Sequence, residues 1–195
     1  MRVIAGDARG HPLKVPPGTA TRPTSDYVRG AIFNLLEHLT GDWSRVLDLY
    51  AGSGALGIEA LSRGANWADF VEQDARACRI IQGNLAVTHL AGRAAVHCTT
   101  VRRALGSLTE GYDIIFVDPP YADTAAYGLL PELVESQAVH QGTVLVVEYS
   151  SRMRLDGPGG AFRLLRERRY GDTTVSLYGT EEGDHLDDRD LPGDL

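Results

Sequence analysis

The sequence predicts an α/β fold: a doubly wound, mostly parallel seven-stranded sheet with helices on both faces, closed by an antiparallel C-terminal hairpin. Three observations predict it. Short β-rich runs alternate with helical stretches five times along the chain. The turn after the first of these runs is rich in glycine. Two final β-type runs are joined by Gly171-Asp172, a hairpin signal.

The elements follow in order. Residues 2–15 (RVIAGDARGHPLKV) read as a small separate hairpin turning at Ala8–Gly10. Thr24 or Ser25 can cap a helix reaching about Leu39, with Val28, Ile32, Leu35, Leu36 and Leu39 on one face. Strand Arg45–Leu49, helix Ala55–Arg63, strand Ala68–Glu72 and helix Ala75–Val87, capped by Asp74, come next. Then follow strand Ala94–Cys98, a short helix from Val101, strand Asp113–Val117, a helix across Ala125–Ser136 and strand Thr143–Glu148. Runs Arg163–Arg169 and Thr173–Tyr178 form the hairpin. Arg166, Arg168 and Arg169 suit a charged edge strand that resists pairing with other sheets.

Composition bounds the function. With 195 residues, 43% hydrophobic and 23% charged, the chain suffices for one domain with a small appendage. No apolar run approaches the ~20 residues of a membrane span, and the start has no signal-peptide pattern. Cys78 and Cys98 form no CxxC pair, and the histidines lack ligand spacing, so neither a disulfide framework nor a metal site is expected. A cytoplasmic, monomeric enzyme is the expectation. The net charge of −7 is uneven: residues 181–195 hold seven acids and one arginine, net −6, and read as a disordered tail. Residues 1–29 carry net +3. Three segments are therefore expected: 1–22, an extension; 23–180, the catalytic domain; and 181–195, the tail.

Gly52-Ser53-Gly54-Ala55-Leu56-Gly57 satisfies the GxGxxG pattern, and Glu72 ends the next strand, placed for ribose hydroxyls. Asp48, at the end of the first strand, argues about which nucleotide. A pyrophosphate beside that carboxylate would be repelled by on the order of several kcal/mol. S-adenosylmethionine carries no phosphate and offers two positive centres, so Asp48 favours it over NAD. The cofactor set expected is Asp48, Tyr50, Ala51, Gly52, Ser53, Gly54, Leu56, Glu72, Gln73, Thr100, Val101 and Asp118. Adenine contacts fall to Thr99, Thr100 or the Val101 backbone.

FVDPPY, residues 116–121, ends the fourth core strand. Two prolines stop a ladder and hold the preceding residues extended. In the doubly wound order this stub lies beside the glycine loop. An exocyclic base amine is a poor nucleophile, its lone pair being delocalised into the ring. Asp118 and the Pro119 carbonyl can accept its two hydrogens, Pro120 holds them rigid, and Tyr121 offers a face for a flipped base.

The chain resembles the bacterial ribosomal RNA small-subunit methyltransferase D family. RVIAGDARGHPL, RPTSDYVRGAIFNLL, LDLYAGSGALGIEALSRGA, FVEQD and FVDPPY carry the resemblance over about 180 residues. It implies a Rossmann-like methyltransferase domain with an N-terminal hairpin. It further implies transfer from S-adenosylmethionine to the N2 amine of one guanine in small-subunit ribosomal RNA, on partly or fully assembled subunits. Arg2, Arg9, Lys14, Arg22 and Arg29 can meet phosphates, with Thr24 at a helix N-terminus, itself anion-friendly. Alternatives are a DNA adenine or protein glutamine acceptor, an NAD-dependent oxidoreductase, and a silent RNA-binding assembly factor.

Overall fold

The computed structural model describes residues 1–17, 25–39, 43–120 and 123–180. Arg22, Thr24, Tyr121 and the acidic tail lie outside the described residues. Seven strands form one sheet: β1 (Arg45–Leu49), β2 (Trp67–Glu72), β3 (Ala94–Cys98), β4 (Ile114–Val117), β5 (Val144–Ser150), β6 (Arg163–Tyr170) and β7 (Thr173–Gly179). Their spatial order is β3-β2-β1-β4-β5-β7-β6. β1 to β5 run parallel, while β7 is antiparallel to β5 and β6 to β7. The order reverses between β1 and β4, so the two crossovers leave a crevice at the carboxyl ends of those strands.

Helices α1 (Asp26–Leu39), α2 (Ala55–Ser62) and α3 (Ala75–Val87) cover one face, and α4 (Val101–Leu105) and α5 (Leu130–Val134) the other. Val46, Phe70, Phe116 and Val146 point into the first layer, against Ile32, Phe33 and Ile58. Leu47, Val71, Ile115 and Val147 point into the second, against Ala104 and Leu133. Alternation along each strand thus feeds both layers, as a sheet covered on both faces requires. α1 starts where Ser25 Oγ accepts from the Val28 N–H at 3.1 Å, so serine supplies the cap.

Three expectations change. The helix expected across Ala125–Ser136 is a 3₁₀ segment, Thr124–Leu129, followed by the five-residue α5. Gly128 weakens the first half, and Pro131 sits in the first turn of α5, where its missing N–H costs nothing.

The N-terminal arm is the small hairpin expected, with a bridge between Arg2 and Pro12 and backbone hydrogen bonds joining Val3 to Gly10 and His11 and Met1 to Leu13, but it is not separate: it packs into the domain. Val3, Ala8 and Leu13 are core residues. Glu59, fully buried on α2, accepts the Ile4 and Ala5 N–H groups at 2.8 and 3.0 Å and Arg63 Nε at 2.9 Å. Gly6 (φ 78°) lies against the Ser62 carbonyl so closely that a Cβ would sit 1.8 Å from its oxygen. Only glycine permits that approach.

Arg29, expected to meet RNA phosphates, is instead 0% exposed. Its Nε lies 3.7 Å from Glu59, and its guanidinium donates to Asp26 at 3.1 Å and to the Arg2 carbonyl. Burial lowers its pKa, and Glu59 opposes the shift. It ties α1 to the arm and to α2, and no phosphate can reach it.

Candidate active site

The crevice at the switch point holds a cavity of about 320 Å³. Its floor is the first turn after β1. Tyr50 (φ 60°) and Gly52 (φ 54°) take the left-handed conformation, then Gly54 (φ 77°) enters α2. A Cβ at Gly54 would press on Ile81 and Phe70 at 3.1 and 3.3 Å, and one at Gly57 would reach the Phe70 ring at 2.4 Å. The last two glycines therefore let α2 and the loop sit directly on β2.

Two carboxylates occupy this loop. Glu72 Oε2 accepts the Gly52 N–H at 2.9 Å, and its Oε1 accepts the Asp74 N–H at 2.8 Å. Asp48 Oδ2 accepts the Gly57 N–H, in the first turn of α2, at 2.9 Å. In a phosphate-binding loop, amides of the loop and helix N-terminus face the anion. Here two of them face the chain's own carboxylates, and the positive end of α2 is partly neutralised. The cavity is thereby made for a phosphate-free ligand bearing positive charge.

Asp48 is 2% exposed, and burial raises its pKa well above the ordinary range. The Gly57 hydrogen bond works in the other direction, while the Asp118 and Glu72 charges add to the rise. A cation placed beside these three acids would relieve that repulsion.

Of the expected cofactor residues, Asp48, Tyr50, Ala51, Gly52, Ser53, Leu56, Glu72, Gln73, Val101 and Asp118 line the cavity. Gly54 and Thr100 do not. Gly54 is turned into the β2–α3 packing, and Thr100 Oγ1 caps α4 by accepting the Arg103 N–H at 3.4 Å. Thr99 lines the cavity instead, beside Val101. At the other wall, Asp118 is half-buried, Pro119 buried and Pro120 exposed. The Pro120 carbonyl accepts the Asp123 N–H at 2.7 Å.

Several lining residues lie beyond the expected set: Met1, Val15 and Pro16 from the arm, and Glu148 in the second half of β5. Asn84 brings the arm there. Its Oδ1 accepts the Lys14 N–H, and its Nδ2 donates to the Lys14 and Ser53 carbonyls, each at 2.9 Å. A buried polar residue on the apolar face of α3 is a usable signal for such a tie. Arg2, Arg9 and Lys14 remain exposed on the arm.

A family model described as "Conserved hypothetical protein 95" matches residues 1–179. The chain is 39% identical to "Putative rRNA methyltransferase YlbH" of Bacillus subtilis, over 91% of this chain and 98% of that protein. It is 35% identical to "Ribosomal RNA small subunit methyltransferase D" of Escherichia coli, over 93% of this chain and 90% of that protein. Among solved structures, hypothetical protein TTHA0928 of Thermus thermophilus superposes with a TM-score of 0.79 at 34% identity, covering 91% of this chain and 98% of that one. With this arm, glycine loop and proline stub in place over nearly its whole length, the chain belongs to the Conserved hypothetical protein 95 family, together with the ribosomal RNA small subunit methyltransferase D proteins.

Proposed function

We propose that this protein transfers a methyl group from S-adenosylmethionine to the exocyclic N2 amine of one guanine in small-subunit ribosomal RNA, within assembled or partly assembled subunits. One observation carries the reading. The stub Asp118-Pro119-Pro120 opens on the same cavity as a glycine loop whose amides are held by Glu72 and Asp48. The names of the relatives supply the RNA class. We read the protein as a cytoplasmic monomer that needs no metal.

The residues present fit S-adenosylmethionine. Asp48 is placed for its positive centres, and Glu72 for the ribose hydroxyls, since each carboxylate oxygen keeps a second acceptor site. Leu56 and Val101 supply apolar walls, and Thr99 or the Val101 backbone supplies polar contacts to adenine. When bound, the cofactor supplies an electrophilic methyl group on a sulfonium.

Asp118 and the Pro119 carbonyl accept the two amine hydrogens and turn the nitrogen lone pair toward that methyl. With the cofactor bound, the Asp118 carboxylate would stabilise the positive charge that grows on the amine nitrogen as it is methylated. The surplus proton leaves through Asp118 or water. Tyr121 gives the flipped base a stacking face. Arg2, Arg9 and Lys14, with Arg22 and the Thr24 region, meet the RNA backbone.

The test is tritiated methyl transfer to small subunits lacking the modification, naked ribosomal RNA and DNA, followed by digestion to nucleosides. The label is expected in N2-methylguanosine from subunits; label in N6-methyladenine, or in ribosomal protein, overturns the acceptor. Asp118→Ala should lower kcat by ~10²-fold or more, without loss of cofactor affinity. Asp118→Asn should keep some activity. Tyr121→Phe should be mild and Tyr121→Ala severe, stacking being worth about 1–3 kcal/mol per base. Equal damage from both tyrosine variants would show that the hydroxyl, not the ring face, does the work.

A further inference from the structure

We propose that Glu148 reads the Watson–Crick edge of the acceptor base and selects guanine over adenine. The inference rests on the reading of the acceptor as a guanine amine, and it assigns a residue to that choice.

The placement comes from the sheet. β4 and β5 are parallel, with Phe116 beside Val146 and Val117 beside Val147. One step further, Asp118 follows the last residue of β4, and Glu148 lies in β5 two residues before its end. Phe116 and Val146 point into the same core layer, so two residues on, Asp118 and Glu148 leave the sheet from that same face. Both line the cavity. Glu148 is 4% exposed and interrupts the apolar run VLVVEYS, every residue of which is buried except the last. Its backbone is fixed on both sides. Tyr127 OH donates to its carbonyl at 2.9 Å, and β7 pairs Val175 with it.

An aliphatic residue would avoid the desolvation cost of a carboxylate at this position. Glu148 lines the cavity on β5, the strand on the far side of β4 from β1 and its glycine loop. Counting across the sheet, the acids run Glu72 on β2, Asp48 on β1, Asp118 after β4 and Glu148 on β5. The first two hold loop amides. The last two meet the base.

Base chemistry then supplies the discrimination. The Watson–Crick edge of guanine offers adjacent donors, N1–H and the 2-amino group. That of adenine offers an amino donor beside N1, a bare acceptor. Asp118 suits an exocyclic amine of either base. A second carboxylate beside it accepts the guanine N1–H and sets a negative charge against adenine N1. DPPY activates an amine; Glu148 decides whose amine it is.

Glu148→Gln is nearly isosteric and keeps one acceptor while adding a donor that adenine N1 can use. Transfer to small subunits lacking the modification should fall roughly 10–100-fold in kcat/KM, the range for losing one good polar contact to a base edge. Affinity for S-adenosylhomocysteine and the thermal midpoint should stay at parental values, and a share of the residual label should move to N6-methyladenosine. Glu148→Asp, which keeps the charge but shortens the reach, should fall between the two. Parental kcat/KM in Glu148→Gln overturns the inference, as does a loss matched by an equal loss of S-adenosylhomocysteine affinity or by a lower thermal midpoint in both variants. If the parental enzyme itself yields no N2-methylguanosine, the fault lies in the proposed function instead.

Discussion

Two buried carboxylates lie against α2, and their surroundings differ. Glu59, within the helix, accepts from two arm amides and Arg63 and lies beside Arg29. Asp48, below the helix N-terminus, accepts the Gly57 amide, and the charges that bear on it are two more acids, Asp118 and Glu72. The first charge is compensated and acts as a bolt. The second is under-compensated, and its surroundings resist the charge until a cation arrives. Burial alone does not say what a carboxylate is for; the sign of its neighbours does.

Removing the bolt should have the largest effect. Glu59→Ala leaves Arg29 buried without its counter-charge and two arm amides without an acceptor, which should cost about 3–5 kcal/mol. Urea unfolding measures it, and a loss under ~1 kcal/mol would mean that Glu59 is not the bolt. On the cavity side, Glu72→Ala should weaken S-adenosylhomocysteine binding by about 1–3 kcal/mol. Calorimetry showing parental affinity, or tighter binding of NAD, would break the contrast. Replacing Arg2, Arg9 and Lys14 by alanine tests the outer face of the arm. Subunit binding should weaken and its salt dependence flatten by about one unit of slope for each phosphate no longer neutralised, with cofactor affinity retained.

Asp48→Asn should move stability the other way. The amide oxygen still accepts from Gly57, while the charge that burial disfavours is gone. A carboxyl whose folded pKa is raised contributes stability at low pH that is lost as pH rises through the folded value. Against the parent, the variant should therefore gain about 1 kcal/mol in neutral solution, and the gain should vanish in acid; cofactor affinity should fall. A variant that is less stable at neutral pH would reverse the assignment. The smallest effect is expected from ending the chain at Thr180: folding and transfer should match the full-length protein.

Much of this is readable in the sequence, for definite reasons. The glycine loop and FVDPPY are local: a positive φ or a missing N–H is demanded by a few adjacent residues. Strand–helix alternation is read from periods of two and 3.6. Arg29 reads as a phosphate ligand because an arginine on a helix is ordinarily solvated. Yet Arg29, Ile32, Phe33 and Leu36 share one stripe, so the burial is encoded in the spacing. Glu59 likewise sits in ALGIEALS, a helix buried at every position. What the sequence hides is the partner of each, since Arg29 and Glu59 are 30 residues apart and meet only through the fold. The arm reads as an appendage because its RVIAGDARG pattern has no long apolar period; three residues, Val3, Ala8 and Leu13, suffice to embed it.

The Asn84 side chain carries one more consequence. An amide that accepts from Lys14 N–H and gives to both the Lys14 and Ser53 carbonyls does the work of a peptide group in a ladder. The arm and the glycine loop are thus rungs of one structure, though 39 residues separate Lys14 from Ser53. Their amides should exchange with solvent as a single cooperative unit. Whatever loosens the arm would then unlatch the floor of the cavity in the same opening event, so ligand entry and arm motion would share one rate.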